Sequence, residues 1–266
     1  LPKDILVNPQ IFAVRTIDMT NNIERLYQRF YLNFDRDKFD KWLISLVPDR
    51  VEKSFNSLFK DYKKVEEGYQ VRYIHKGQER IARTKALVAA DGGHSHIRGL
   101  ISKGKDISMP KEYISIQQWF KCSEPIPYYM AIFDEKITDF YSWIIPKDNC
   151  ILLGSALKPK DNPWEKFDLL KSNLQEYGFD FDKEIKTEGA FIYRPTKRSH
   201  LYLGNDNIAL VGEAAGAISP SSAQGISYAL KTSLYLAQSL EDGIEGFLER
   251  YKKNVKDIKL NLLFKN

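Results

Sequence analysis

The chain has 266 residues, 43% of them apolar and 28% charged, with 40 Lys and Arg against 35 Asp and Glu. That apolar content suffices for one large core or two connected ones and excludes a disordered chain. A net charge of +5 over this length does not indicate a nucleic-acid partner, and no apolar run reaches the ~18 residues of a membrane span. Cys122 and Cys150 make neither a disulfide framework nor a metal motif, which reads as reduced thiols and a cytoplasmic protein. The four histidines, at 75, 94, 96 and 200, show no metal-ligand spacing, and no metal is expected.

In chain order, an extended run from Phe30 to Phe34 leads into a helix over Phe39–Leu46, with Phe39, Trp42, Leu43 and Leu46 on its apolar face. Tyr69–His75 and Glu79–Thr84 read as a hairpin around Lys76-Gly77. Ala86–Ala90 is a strand that stops at Asp91, Gly92 and Gly93. The composition then changes. Tyr113–Phe120, Tyr128–Phe133, Asp139–Ile145 and Cys150–Leu157 are short strands rich in aromatic and β-branched residues. Pro163–Tyr177 is a helix, with Asn162 as its cap and Gly178 at its end, and Gly189–Tyr193 is a further strand.

The most informative stretch is Ile208–Leu230. An apolar strand, Ile208–Val211, meets Gly212 and the acid Glu213. Then come Ala214, Ala215, Gly216, Pro220 and Gly225, and an apolar pattern at Ile226, Ala229, Leu230, Leu234 and Ala237 marks a helix. Small residues let a backbone approach a flat or anionic ligand, and a helix start offers unpaired N–H groups. A turn after such a strand sits where α/β sheets bind ligands. The last helical stretch interleaves Leu248, Tyr251, Val255 and Ile258 with Lys252, Lys253, Lys256 and Lys259. It reads as a packed helix with a solvated basic face; peripheral contact with an anionic membrane is the alternative.

The Ile208–Leu230 stretch resembles the second FAD-binding motif of the flavoprotein hydroxylase superfamily, Gly-Asp-Ala-Ala-Gly…Pro…Gly-Ile, whose members include aromatic monooxygenases and geranylgeranyl reductases. Here the acid is Glu213, one methylene longer than the usual Asp. Leu87–Arg98 resembles the family's Ala-Asp-Gly-x-x-Ser-x-x-Arg motif through Asp91, Gly92, Ser95 and Arg98. Arg36-Asp37-Lys38-Phe39-Asp40 resembles a third element, Arg-x-x-Phe-Asp. The resemblance implies FAD as cofactor. It implies that Arg36, Asp91, Gly92, Gly212, Glu213, Ala214, Gly216, Pro220, Gly225 and Ile226 contact it, with Glu213 at the ribityl chain and Gly225-Ile226 beside the ring.

The resemblance also implies an α/β fold: an FAD-binding Rossmann-like domain over 1–103 and 201–266, with an antiparallel α+β substrate domain inserted at 104–200. The family's opening Gly-x-Gly-x-x-Gly does not occur, and no glycine precedes Gly68. A further βαβ unit of at least ~30 residues is expected ahead of Leu1. Adenosine and pyrophosphate contacts would lie there, so this chain alone is expected to bind FAD poorly.

Tyr141, Trp143, Pro146 and Lys147, followed by Gly154, resemble the Tyr-x-Trp-x-Phe-Pro-Lys…Gly-x-Gly element of the geranylgeranyl reductase branch, with Ile145 and Ala156 as departures. Tyr141, Trp143 and Ile145 alternate along a strand and share one face. That face reads either as a substrate wall or as packed sheet core; Trp119 in the preceding strand is a further candidate. The implied activity is reduction of a C=C bond in an apolar, prenyl or lipid-like substrate, with electrons reaching FAD from NAD(P)H or a ferredoxin. A monooxygenase acting on an aromatic or lipid substrate shares the same two motifs. A catalytically silent fragment is the third reading. The sequence identifies no catalytic side chain and no oligomeric state.

Overall fold

The computed structural model describes residues 1–104, 107–122, 126–181 and 183–264. The chain forms two compact units, one from Leu1–Val51 with Tyr113–Phe191, the other from Glu52–Glu112 with Ile192–Asn266.

The first unit is built on a seven-stranded sheet. In chain order its strands and helices are β1 (Ile11–Asp18), β2 (Ile23–Tyr31) and α1 (Arg36–Ser45). After the excursion into the second unit come β7 (Lys111–Lys121), β8 (Tyr129–Phe133), β9 (Ser142–Lys147), β10 (Cys150–Leu157), α3 (Pro163–Gln175) and β11 (Glu184–Arg194). The sheet order is β11-β7-β10-β9-β8-β1-β2. Pairing is antiparallel for β7–β10, β10–β9, β9–β8 and β1–β2, and parallel for β1–β8. One face packs on α3: Ile116, Met130, Ile132, Ile144 and Leu153 meet Phe167, Leu170 and Leu174, all buried. Burying side chains of this size contributes roughly 1.5–3 kcal/mol each.

The second unit holds β3 (Ser57–Val65), β4 (Gly68–His75) and β5 (Gln78–Thr84), an antiparallel meander. It also holds β6 (Leu87–Ala89), α2 (His96–Ser102), β12 (Gly204–Asn205), β13 (Ile208–Leu210), α4 (Ile226–Leu240), α5 (Phe247–Asn254) and α6 (Lys256–Phe264). β12, β13 and β6 form a second sheet, in which β13 and β6 run parallel. Tyr69, Leu210, Tyr228, Leu236 and Tyr251 are central to this unit's core.

The α/β class and the antiparallel α+β sheet match the expectation. The grouping of the chain differs from it: residues 1–51 were expected with 52–103. Instead β1 joins the large sheet through Val14↔Tyr129 to Asp18↔Phe133, and the Asn33 side chain donates to the Pro146 carbonyl at 2.7 Å. Such pairing is non-local and leaves no trace in local periodicity. α4 also turns the other way round. Tyr228, Thr232, Leu236 and Ser239 are its buried residues, while Leu230 and Leu234 are exposed. At the carboxyl end, Leu248, Tyr251, Val255 and Ile258 are buried, as the packed-helix reading requires. Among the described residues, no helix is long and apolar enough to cross a membrane, and no His, Cys, Asp and Glu group is arranged to hold a metal.

Candidate functional site

Two turns converge in the second unit. β6 and β13 are parallel neighbours, so the segments that follow them leave the sheet at the same end. Val211 N–H donates to the Ala89 carbonyl at 3.0 Å, extending the pairing to the mouth of both turns. Each strand opens into a 3-10 turn, Gly92–His94 after β6 and Gly212–Ala215 after β13.

The second turn is shaped by its glycines. Gly212 has φ +56°, and a Cβ there would lie 3.1 Å from the Ala229 Cβ of α4. Its N–H donates to Thr232 Oγ1 at 2.8 Å. Gly216 has φ +79°, and a Cβ would lie 2.4 Å from the His200 carbonyl. The chain itself demands both glycines. Gly225 is different. Its φ is −102°, and a Cβ would meet only Ile218 Cδ1 at 3.9 Å. At Gly92, φ is +78° and a Cβ would meet nothing within 4 Å.

Glu213 is half-buried. Its Oε1 accepts from the Tyr193 N–H at 2.7 Å. Burial pushes its carboxyl above the ordinary value, and the Tyr193 N–H pulls back. Oε2 has no hydrogen-bond partner among the described residues. Asp91 is engaged within the chain: Oδ1 accepts from Ser95 Oγ at 2.6 Å and Oδ2 from the Ile97 N–H at 3.3 Å. Ser95 Oγ in turn accepts from the Arg98 N–H at 3.0 Å and caps α2. Pro220 is buried, and its carbonyl accepts from Arg194 Nε at 3.1 Å. Ala214 is fully buried, and Ile226 opens α4.

Sequence reasoning missed the role of Arg98, although the motif contained it. Arg98 is 0% exposed. Nη1 donates to the Ala214 carbonyl at 3.1 Å and Nη2 to the His200 carbonyl at 2.9 Å. The guanidinium lies 6.0 Å from the centre of the Tyr202 ring, and Nε is buried without a hydrogen bond. Burial pulls its pKa below the ordinary arginine value. The first motif thus holds the second through one buried cation.

Arg36 belongs to the first unit, apart from the other expected cofactor residues in the chain's division. It is exposed at the first position of α1, behind the cap Asp35, whose Oδ1 accepts from the Lys38 N–H at 3.0 Å. The structure groups Arg36 with Lys147. Lys147 Nζ donates to the Phe34 carbonyl at 2.7 Å, and burial brings its pKa down to about 8. Arg36 lowers it further, while Asp35 and Asp148 oppose the shift.

The register puts Trp119, Trp143 and Ile145 on one face of the large sheet, opposite the face that packs on α3. Trp119 pairs across Leu152 with Ile145, and Trp143 pairs with Gly154. Tyr141, just ahead of β9, sets its ring 5.3 Å from that of Trp143, tilted 50° to it. Tyr141 and Trp143 are both buried. A hydrogen bond joins the Tyr141 and Tyr129 phenols, and burial pushes Tyr141 up to about 12. Pro146 is buried, and the alternation of β9 turns it to the α3 side of the sheet, away from the other candidates. Trp119 Nε1 donates to Glu188 Oε2 at 3.0 Å, and Lys186 Nζ lies 4.5 Å from its ring centre.

No family model matches the chain. Among solved structures, a geranylgeranyl bacteriochlorophyll reductase-like protein from Thermoplasma acidophilum superimposes with a TM-score of 0.82 at 18% identity, covering 98% of this chain and 71% of that one. The myxobacterial chondrochloren halogenase CndH, described as FAD-dependent, gives a TM-score of 0.70 at 15% identity over 98% of this chain and 67% of its own. Klebsiella pneumoniae HpxO, solved with FAD and uric acid, gives 0.65 at 15% over 99% and 72%. These likenesses establish the fold. The curated relatives are closer in sequence. Protein CbrA of Escherichia coli O6:H1 is 37% identical over 265 residues, which span all of this chain and 71% of the relative. Protein CbrA of Escherichia coli K12 and of Shigella sonnei are also 37% identical over 265 residues, 74% of each. At that identity and coverage, the chain belongs to the family of Protein CbrA.

Proposed function

We propose that the protein is an FAD-dependent oxidoreductase that reduces a C=C bond of an apolar, prenyl- or lipid-like substrate. The observation that carries the cofactor assignment is the convergence of the two turns at one end of parallel β6 and β13, latched by Arg98. The residues fit the group. Gly225 and Gly92 are glycines that the chain's own packing does not crowd, so the backbone there is open to close approach by a flat ligand. Glu213 is anchored by one oxygen and offers the other as an acceptor. Glu213, Gly225 and Ile226 would hold the ribityl chain and ring, with Asp91 and Gly92 at the neighbouring turn. When bound, FAD supplies the two-electron redox chemistry. The chain supplies binding and orientation, and the aromatic face at Tyr141 and Trp143 supplies an apolar wall for the substrate.

The reductase-like protein from Thermoplasma acidophilum gives the higher TM-score of those quoted, and the Tyr-x-Trp…Pro-Lys element favours the same reaction. A monooxygenase acting on an aromatic or lipid substrate, which shares the same two motifs, is the second reading. The experiment that separates them follows oxygen uptake by the flavin-loaded protein with NAD(P)H, or reduced ferredoxin, as donor. A reductase consumes donor with an unsaturated prenyl substrate at an unchanged oxygen level. Oxygen uptake matched to substrate would favour the monooxygenase. A colourless native protein that takes up no flavin would leave a silent family member.

A further inference from the structure

The geometry points to the outer edge of β2 as an interface for a second copy of this chain, paired antiparallel β2 to β2 about a two-fold axis at Gln28. β2 is the last strand of the seven-stranded sheet, bonded to β1 on one side and, among the described residues, to no strand on the other. All of its residues but Tyr31 are exposed. Leu26 and Phe30 point to one face of the strand, and each is 67% exposed. The exposed ring of Phe12 meets that of Phe30 edge-on at 5.5 Å and widens the apolar patch.

The free N–H and C=O groups of an edge strand recruit other strands, and sheets ordinarily guard such an edge with Lys, Pro, a bulge or a cover. The opposite edge strand, β11, has Lys186 and Glu188 for this purpose and is weakened by Gly189. Residues 23–32 contain no Lys, Pro or Gly. Glu24 is taken up by Arg15 at 2.7 Å. The edge of β2 therefore stands open and apolar.

A two-fold axis perpendicular to the sheet sets one residue of β2 opposite its own copy, and the side chains select which. With Arg25 or Arg29 on the axis, that arginine meets itself. With Tyr27 there, Arg25 meets Arg29 of the second copy. Like charges directly opposite are destabilising. Leu26 on the axis avoids this but sets Phe30 against Asn22. Gln28 on the axis sets Leu26 against Phe30 on one face, and on the other Arg25 against Tyr31 and Tyr27 against Arg29, all reciprocally. Apolar then meets apolar, and each guanidinium meets a phenol ring. Within one chain the Arg29 guanidinium already lies 5.7 Å from the centre of the Tyr31 ring.

Sedimentation equilibrium of the native protein is expected to show a dimer. Gln28→Cys should give a disulfide-linked dimer on mild oxidation, because residues opposite each other in an antiparallel pair lie about 4.5–5.5 Å apart at Cα, within disulfide reach. Arg25→Cys and Leu26→Cys are equally exposed and should stay unlinked, as should the wild type with Cys122 and Cys150. Gln28→Lys sets two ammonium groups face to face and should weaken dimerisation roughly tenfold or more, with the far-ultraviolet spectrum unchanged. A native protein that stays monomeric overturns the assignment. So does a dimer that neither links through Gln28→Cys nor weakens with Gln28→Lys, since its interface then lies elsewhere.

Discussion

Arg98 Nη1 reaches the carbonyl of Ala214 at 3.1 Å, across 116 residues of sequence, and so joins the turn after β6 to the turn after β13. The same guanidinium holds the His200 carbonyl at 2.9 Å. No carboxylate balances it at hydrogen-bond distance among the described residues. The charge is held by two carbonyl dipoles and the Tyr202 ring. Arg98→Met should leave both carbonyls unsatisfied and destabilise the fold by about 2–4 kcal/mol. Arg98→Lys keeps a charge but cannot span two acceptors, and should recover little of this. Urea denaturation of the three proteins measures it.

The glycines of the second turn should divide by role. Gly216→Ala forces a side chain into φ +79° and against the His200 carbonyl, and should cost more than about 2 kcal/mol. Gly225→Val meets only Ile218, so the fold should survive with a midpoint close to the wild type. Its branched side chain would stand where the flavin ring is proposed to lie, so flavin content should fall sharply. Denaturation midpoints and flavin absorbance, measured on the same samples, separate the two effects.

His200 gives a pH dependence of known sign. Its Nδ1 accepts from the N–H groups of Thr196 and Lys197 at 3.0 and 3.3 Å, so the ring proton sits on Nε2, beside Ser108 Oγ at 3.1 Å. Burial, with Lys197 and Arg98 nearby, lowers its pKa below the ordinary 6.5. The unfolded chain therefore binds the proton first. The contribution of His200 to stability is present above 6.5 and is lost as pH falls through the folded value. Glu213 works in the opposite sense. Pushed above 4.5, it contributes below that value and loses the contribution as pH rises through its folded pKa. Stability curves between pH 5 and 8 for wild type, His200→Gln and Glu213→Gln should show the slope due to His200 vanish only in the first variant.

Gly154 lies directly under the Trp143 indole, where a Cβ would stand 2.4 Å from Nε1 and Cε2, and Gly154→Ala tests that packing. The added methyl must push the indole off the strand or move the strand, which should cost about 1–3 kcal/mol. Tryptophan emission should change with it. An unshifted emission spectrum and an unchanged denaturation midpoint would show that the indole does not lie on Gly154.

The legible parts of the chain were those with local signatures. The hairpin around Lys76-Gly77 is β4–β5, where Lys76 and Gly77 both adopt positive φ. β10 was bounded correctly because its apolar run is continuous, and Pro163 marked the first residue of α3. The strands β6 and β13 were legible because each ends in glycines and a carboxylate, whereas their parallel pairing was not. What failed was non-local. β1 joins the large sheet by pairing with β8, more than a hundred residues onward, and β2 follows as the edge strand beside β1 with most of its residues exposed. α4 misled because it carries apolar residues on two faces and buries the one with Thr232 and Ser239. Arg98 stood in the motif, but a buried arginine without a carboxylate cannot be told from an exposed one by composition.

The central claim, that the turns at the ends of β6 and β13 hold FAD, is tested most directly by the absorbance spectrum and flavin stoichiometry of the purified native protein, beside Gly225→Val. For the protein at its natural length, the account predicts one flavin per wild-type chain, released on denaturation and identified as FAD, and a folded variant that has lost most of it; the 266 residues alone are expected to bind it poorly. A colourless wild type that takes up no FAD on titration, or a Gly225→Val protein with undiminished flavin, would contradict it.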